Sequence, residues 1–277
     1  MVQDIPQIGY GIGTAWFKKE EGDVDRALVD AVKIAIDVGY RHFDNAEVYR
    51  NERDFGVAWT EHGINREDLW ITTKVHMGVA DAVGALKASL EKLQTLFVDL
   101  YLIHMPYFDD KGEGKIEDVW QAMEQCVDLK LAKHIGVSNF RVKDIQRVLK
   151  VATKPVFANQ VECHPYHATP GLHDLMKQHG IRGESYGPLV PMLHAKDGPL
   201  SPYISELAKK YSRSEGLILL RWNIQKGNII ITTSSKRDRM KEQLTVADFE
   251  LDAADVARID ELGSQHSFTK FFDNPNE

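Results

Sequence analysis

Short apolar runs alternate with amphipathic segments along the whole chain, and the alternation repeats eight times. The runs are IGYGIG (8–13), RHFDNA (41–46), LWITTK (69–74), VDLYLIH (98–104), HIGVSN (134–139), VFANQVE (156–162), IRGESY (181–186) and NIIITT (228–233). Between them, apolar residues recur at i, i+3, i+4 and i+7, the period of a helix face. DVDRALVDAVKIAIDVG shows this pattern and stops at Gly39, a helix-ending residue. VADAVGALKASLEKLQ, IEDVWQAMEQCVDLK and SEGLILLRWNIQKG read the same way. Eight strand-then-helix units predict an α/β fold of the closed (β/α)₈ TIM-barrel type. Such a barrel takes about 250 residues. The 277 residues, without a linker-like or low-complexity stretch, therefore predict a single barrel domain over 1–277.

A doubly wound sheet is the competing architecture. It requires a glycine phosphate loop in its first strand-to-helix turn. GYGIGTAW has glycines at 9, 11 and 13 but not the G-x-G-x-x-G spacing, and no good helix follows directly. Those glycines read as a tight strand-to-loop passage or as a close approach to a ligand. The gap between Tyr186 and Asn228 is too long for one unit, so SPYISELAKKYSR (201–213) is expected as an additional helix. DAADVARIDELG (252–263) predicts another near the C-terminus. Only DIPQ lies between the first residues and the first strand, so an N-terminal hairpin is short or missing.

The chemistry is concentrated at the ends of three neighbouring runs. Asp44 ends the second and Tyr49 follows it, Lys74 ends the third and His104 ends the fourth. Parallel strands would deliver all four to the C-terminal rim, where such barrels keep their active sites. A tyrosine hydroxyl, ordinarily near 10, is too weak an acid for efficient proton transfer at neutral pH. Lys74 is expected to bring it down, Asp44 to hold Lys74 charged, and His104 to orient a substrate oxygen. Such a set protonates a carbonyl oxygen as a hydride arrives, and the hydride must come from a nicotinamide because no side chain supplies one. Taken singly, each residue is commonly a cap, a solvated loop residue or a core tyrosine. Their shared register sets them apart.

Composition removes other classes. The formal charge of −7 argues against nucleic acid as a partner. No run approaches the length of a membrane span, and no signal-peptide pattern opens the chain, so no membrane partner and a cytoplasmic location are expected. Two cysteines are too few for a disulfide framework. Cys126 is expected to be buried in a helix, and Cys163 to be exposed near the rim. His164 and His167 sit close together across a proline. They read as loop residues rather than as the ligands of a metal-dependent isomerase or hydrolase, and no metal is expected.

At this point the residues match a known family. GYRHFDNAEVY, ITTK, DLYLIHMP, IGVSNF, NQVECHP, ESYGPL, ILLRW and ITTSSKRDRMKEQL resemble, in order and over nearly the whole chain, the landmarks of the aldo-keto reductases. ITTSS in place of the commoner I-P-K-S is most similar to the fungal branch, which contains NADPH-dependent reductases of α-keto amides, conjugated polyketones and ketopantoyl lactone. The resemblance implies a catalytic tetrad of Asp44, Tyr49, Lys74 and His104. It implies that Ser138, Asn139 and Gln160 bond a nicotinamide carboxamide while Tyr186 stacks on the ring. A helix N-cap ahead of RVKDIQRVL is the competing reading of the Ser138–Asn139 pair. Further cofactor contacts are implied at Gly13, Thr14, Gly187, Leu189 and Thr232. The phosphate side would use Thr233, Ser234 and Ser235 at a helix start. Arg239 would serve the 2′-phosphate and adenine face, and Glu242 and Gln243 the adenine amino group.

Two positions depart from the family pattern. Thr233 stands where many members carry a phosphate-binding lysine, and Gln243 where many carry asparagine. NADPH rather than NADH is still expected, with charge supplied by Lys236 or Arg239. Trp16, His76, Tyr107, Phe108 and the segment 189–194, beside Tyr49 and His104, would wall the substrate pocket. That aromatic and apolar wall favours small neutral carbonyl compounds: aldehydes, α-keto esters, amides or lactones. The resemblance implies a monomer. A second functional class is a catalytically weak, NADPH-binding regulatory subunit, which an intact tetrad argues against.

Overall fold

A computed structural model describes residues 4–112 and 114–271. Eight strands among them close into one parallel barrel in chain order. They are β1 (Ile8–Gly11), β2 (His42–Asp44), β3 (Trp70–Val75), β4 (Val98–Ile103), β5 (Ala132–Ser138), β6 (Ala158–Glu162), β7 (Arg182–Tyr186) and β8 (Asn228–Thr232). β8 returns to β1 in parallel, with Gly9 opposite Ile231, so the sheet has no free edge.

The helices between the strands form the outer layer, as expected. Arg26–Val38 is capped by Asp25, whose carboxylate accepts from Ala27 N and Leu28 N, and is ended by Gly39 at φ 120°. Only a residue without a Cβ takes that angle easily. The additional helices lie at Ser201–Tyr211 and Ala253–Ser264. The large core between sheet and helices includes Ile71, Tyr101, Ile103, Trp120, Phe140 and Trp222.

Alternate strand residues face the lumen. A separate apolar cluster of Ile5, Trp70, Leu100, Leu102, Phe157, Ala158 and Ile229 fills its lower part. Trp70, His134 and Phe157 stack there, and Arg182 lies 4.3 Å over the Phe157 ring. Ile5, 8% exposed, packs into this cluster from below. Among the described residues no hairpin precedes β1, and residues 1–3 lie outside them. Above the cluster the lumen turns polar, and that change in filling places the site.

Candidate active site

The ends of β2, β3 and β4 bring the four expected residues together. Asp44 closes β2, Lys74 is the penultimate residue of β3, His104 follows β4, and Tyr49 ends the single 3₁₀ turn Glu47–Tyr49. Lys74 Nζ donates to Asp44 Oδ2 at 2.7 Å, to the Asn45 carbonyl at 2.9 Å and to the Tyr49 hydroxyl at 3.4 Å. The Tyr49 and His104 rings meet edge to face at 5.6 Å. His76 meets His104 in the same manner at 5.8 Å. Gly13 is part of this construction: a Cβ there would stand 2.9 Å from Tyr49 Cζ, so only glycine admits the ring.

The electrostatics correct one expectation. Burial raises the Tyr49 hydroxyl above its ordinary value, and Lys74 opposes that rise without overcoming it. The reason is geometric, because the ammonium makes its shortest bond to Asp44 and a longer one to the hydroxyl. Burial alone would lower Lys74, but Asp44 and Tyr49 outweigh it and hold the ammonium above its usual value. His104 is pushed well below the ordinary imidazole value by burial, then by Lys74 and His76. It is therefore a neutral ring, and its buried Nδ1 has no hydrogen-bond partner among the described residues.

The residues expected around a nicotinamide are also gathered here, largely tied to one another. Asn139 sits directly after β5 at φ 60°, a left-handed conformation that asparagine tolerates. Its Nδ2 donates to the His104 carbonyl at 2.9 Å, and its Oδ1 accepts from the Tyr186 hydroxyl at 2.7 Å. Ser138 Oγ donates to the Gln160 carbonyl. The following helix, Val142–Val151, is capped at Arg141, where Asp144 accepts from the backbone N–H. The Ser138–Asn139 pair is thus not a helix cap. Tyr186 meets the Phe271 ring edge-on at 5.7 Å, and a Cβ at Gly187 would lie 2.9 Å from that same ring. Leu189 packs against the core.

After β8, which ends at Thr232, the chain passes Thr233, Ser234 and Ser235 into the helix Arg237–Leu244, which has no side-chain cap. Thr233 Oγ1 is buried beside the Tyr10 hydroxyl. Ser234 Oγ accepts from Lys236 N, and the Ser234 carbonyl accepts from the Tyr10 hydroxyl. Ser235, Lys236, Arg239 and Glu242 are exposed, whereas Arg237 lies 3.6 Å from Asp37. Gln243 differs from the expectation of an adenine contact. It is 4% exposed, and its amide bonds Thr232 Oγ1 and the Tyr40 hydroxyl inside the protein. The inward-facing side of its helix places it there.

The expected pocket wall divides. His76 and Tyr107 are half-buried at the rim, while Trp16 packs partly on the core with its Nε1 buried beside the Tyr10 hydroxyl. Thr14 lies in the exposed turn after β1. Phe108, 6% exposed, faces the core from the short helix Tyr107–Asp110 and is not part of a wall. Val190 and Pro191 are likewise buried, leaving Leu193 exposed. Cys163 is buried rather than exposed, enclosed by His173, Asn228 and the strand β7, and burial pushes its thiol up to about 12. His164 bonds Glu162, and no cluster fit for a metal occurs among the described residues. No helix among them is long and apolar enough to cross a membrane.

Three acids were not singled out from the sequence. Glu47 Oε2 accepts from His76 N, Met77 N and Gly78 N and fixes the loop after β3. Glu162 accepts from Lys270 N and Phe271 N and ties the C-terminal segment beside Tyr186. Glu184 lies inside the barrel against Gln160. The last had a readable signal, because it stands two residues before Tyr186 on the same face of one strand.

The Aldo/keto reductase family matches residues 9–264. The chain is 42% identical over 275 residues to the NAD/NADP-dependent indole-3-acetaldehyde reductase of Schizosaccharomyces pombe, covering 99% of this chain and 97% of that protein. It is 38% identical to the NADPH-dependent alpha-keto amide reductase of Saccharomyces cerevisiae, covering 98% of this chain and 91% of that protein. It is 36% identical to the glyoxal reductase of Bacillus subtilis, covering 99% and 94%. A crystal structure of an aldo/keto reductase from Brucella melitensis superposes with a TM-score of 0.80 at 35% identity, covering 93% of this chain and 95% of that one. The chain belongs to the aldo/keto reductase family.

Proposed function

We propose that this protein reduces aldehydes and activated ketones, such as α-keto esters, amides or lactones, with NADPH, and that Tyr49 donates the proton. The observation that carries the reading is the contact of one buried ammonium, Lys74, with both Asp44 and the Tyr49 hydroxyl at the barrel rim. Names of the relatives support the substrate class: an arylacetaldehyde, α-keto amides and a dialdehyde.

The chain's residues fit a nicotinamide dinucleotide phosphate. Thr233 supplies a buried hydroxyl, the helix Arg237–Leu244 an uncapped N-terminus, and Arg239 an exposed guanidinium. Bound there, the cofactor supplies the hydride. The Tyr49 hydroxyl and the neutral His104 ring, whose rings meet edge to face at the rim, offer O–H and N–H donors to a carbonyl oxygen. As negative charge develops on that oxygen, Tyr49 transfers its proton to it, and Lys74 stabilises the tyrosinate left behind. Asp44 keeps Lys74 charged throughout. A neutral His104 orients the oxygen without adding a second cation beside Lys74.

The test is the loss of reduced-nicotinamide absorbance with purified protein, NADPH or NADH, and a panel of aldehydes, α-keto amides and lactones. Turnover with NADPH is expected, faster than with NADH. Tight cofactor binding with no turnover across the panel would contradict a reductase.

A further inference from the structure

Glu184 stands on β7 inside the lumen and is fully buried. Its Oε2 accepts from Gln160 Nε2 at 2.7 Å, and the same nitrogen donates to Asp44 Oδ1 at 2.8 Å. Its other oxygen, Oε1, is buried with no partner among the described residues. A carboxyl group in so dry a place is costly and needs a reason. The Gln160 amide carries two hydrogens on nitrogen and only lone pairs on oxygen. Between two carboxylate oxygens the nitrogen must therefore sit inward. The amide oxygen is left as the group's remaining function, and it can only accept. A nicotinamide carboxamide presents an NH₂ donor.

We propose that Glu184 is a positioning residue of the reductase: together with Asp44 it locks the Gln160 amide so that its oxygen receives the carboxamide, and it couples that grip to the Asp44–Lys74–Tyr49 set. This rests on the assignment of Gln160 to the nicotinamide made above.

Glu184 also changes charge within the working pH range. Burial raises its carboxyl to about 7, Asp44 pushes the same way, and the Gln160 bond and Lys74 oppose. The groups that face it are Asp44 from β2, Lys74 from β3 and the neutral Gln160 from β6, while its register partner on β8 is the apolar Ile229. Protonated or ionised, the carboxyl keeps an oxygen for Gln160, so the grip persists. The acidity of Tyr49 does not persist. An ionised Glu184 adds a second negative charge near Lys74 and makes the hydroxyl a weaker acid.

Two readouts test this. Infrared difference spectra of the cofactor-free protein, titrated from about pH 5 to about pH 9, should show a protonated-carboxyl band that fades with a midpoint near 7 and is absent in Glu184→Gln. In steady-state reduction, Glu184→Gln should keep the cofactor KM within about twofold and lose the neutral-range fall in kcat with rising pH. Glu184→Leu, which removes the bond to Gln160, should raise the cofactor KM and the Kd from fluorescence titration about tenfold. A Glu184→Leu protein that binds cofactor like wild type would overturn the positioning of Gln160, and a wild-type spectrum with no band that Glu184→Gln removes would overturn the coupling to the Asp44–Lys74–Tyr49 set. A wild-type chain that binds no cofactor would instead overturn the reductase reading, and with it the carboxamide role of Gln160, while leaving the infrared midpoint in place.

Discussion

Lys74 and Asp44 form an ion pair at 2.7 Å with side chains 0% and 4% exposed, and Tyr49 meets that pair rather than a free ammonium. The pair is the electrostatic centre of the rim. Burial first, and then the hold of Asp44 on the ammonium, keep the tyrosine of the free site protonated and ready to donate rather than a tyrosinate.

Removing one partner leaves the other charge buried alone. Lys74→Met should therefore destabilise the fold by about 3–5 kcal/mol in urea unfolding and abolish turnover. The double variant Lys74→Met/Asp44→Leu should recover much of the stability and none of the activity. Equal stability of the single and double variants would show that the pair does not act as a unit.

Gly13→Ala tests placement without touching any polar group. The added methyl would lie 2.9 Å from Tyr49 Cζ, so the ring must shift. A displacement on the ångström scale costs a rate of about 10²-fold. A fall in kcat of that order is expected, with cofactor KM within a few-fold and a near-native thermal midpoint. Unchanged kcat would mean that Tyr49 does not work from the position seen here.

The lumen also sets a pH dependence of stability. Burial lowers the His42 ring from 6.5 to about 4. A histidine whose folded value is depressed stabilises the fold fully above the unfolded value and loses that contribution as pH falls towards the folded one. In a Glu184→Gln background, urea midpoints should thus decline between pH 6.5 and about 4, by about 3 kcal/mol from this ring. Glu184, raised from 4.5 to about 7, acts oppositely: its contribution is present below 4.5 and is lost as pH rises through 7. In the wild-type protein the two oppose each other over most of this range, so His42→Asn should leave stability rising as pH falls from about 7 to 4.5, and Glu184→Gln should leave it falling from 6.5 to about 4. A profile unchanged by either variant would contradict both assignments.

Arg239 is exposed at the start of the helix proposed to hold the phosphate. Arg239→Ala should raise the KM for NADPH about tenfold or more, the loss of a charge-assisted bond, and leave that for NADH nearly unchanged. Equal effects on both cofactors would place the 2′-phosphate elsewhere.

The ends of β2, β3 and β4 were readable from the sequence because each of these runs stops at one ionisable residue, and chain order alone put Asp44, Lys74 and His104 on one rim. The register of the barrel was not readable, and it decides which neighbours a lumen residue meets. Gln160 and Glu184 are paired across β6 and β7, a contact between residues 24 apart that no local pattern records. Helix facing misled in two places. Gln243 and Phe108 sit on the inward sides of short helices whose sequence periods are too brief to orient them. Cys163 was misplaced for a related reason, since its enclosure depends on Asn228 and His173 from other elements.

The central claim is that Tyr49 is the proton donor. Single-turnover oxidation of NADPH by Tyr49→Phe, with an α-keto amide or an aldehyde at saturation, tests it most directly. The predicted result is a hydride-transfer rate reduced by about 10²–10⁴-fold, with NADPH affinity and thermal midpoint close to wild type. A Tyr49→Phe protein that transfers hydride at the wild-type rate would show that another group protonates the oxygen.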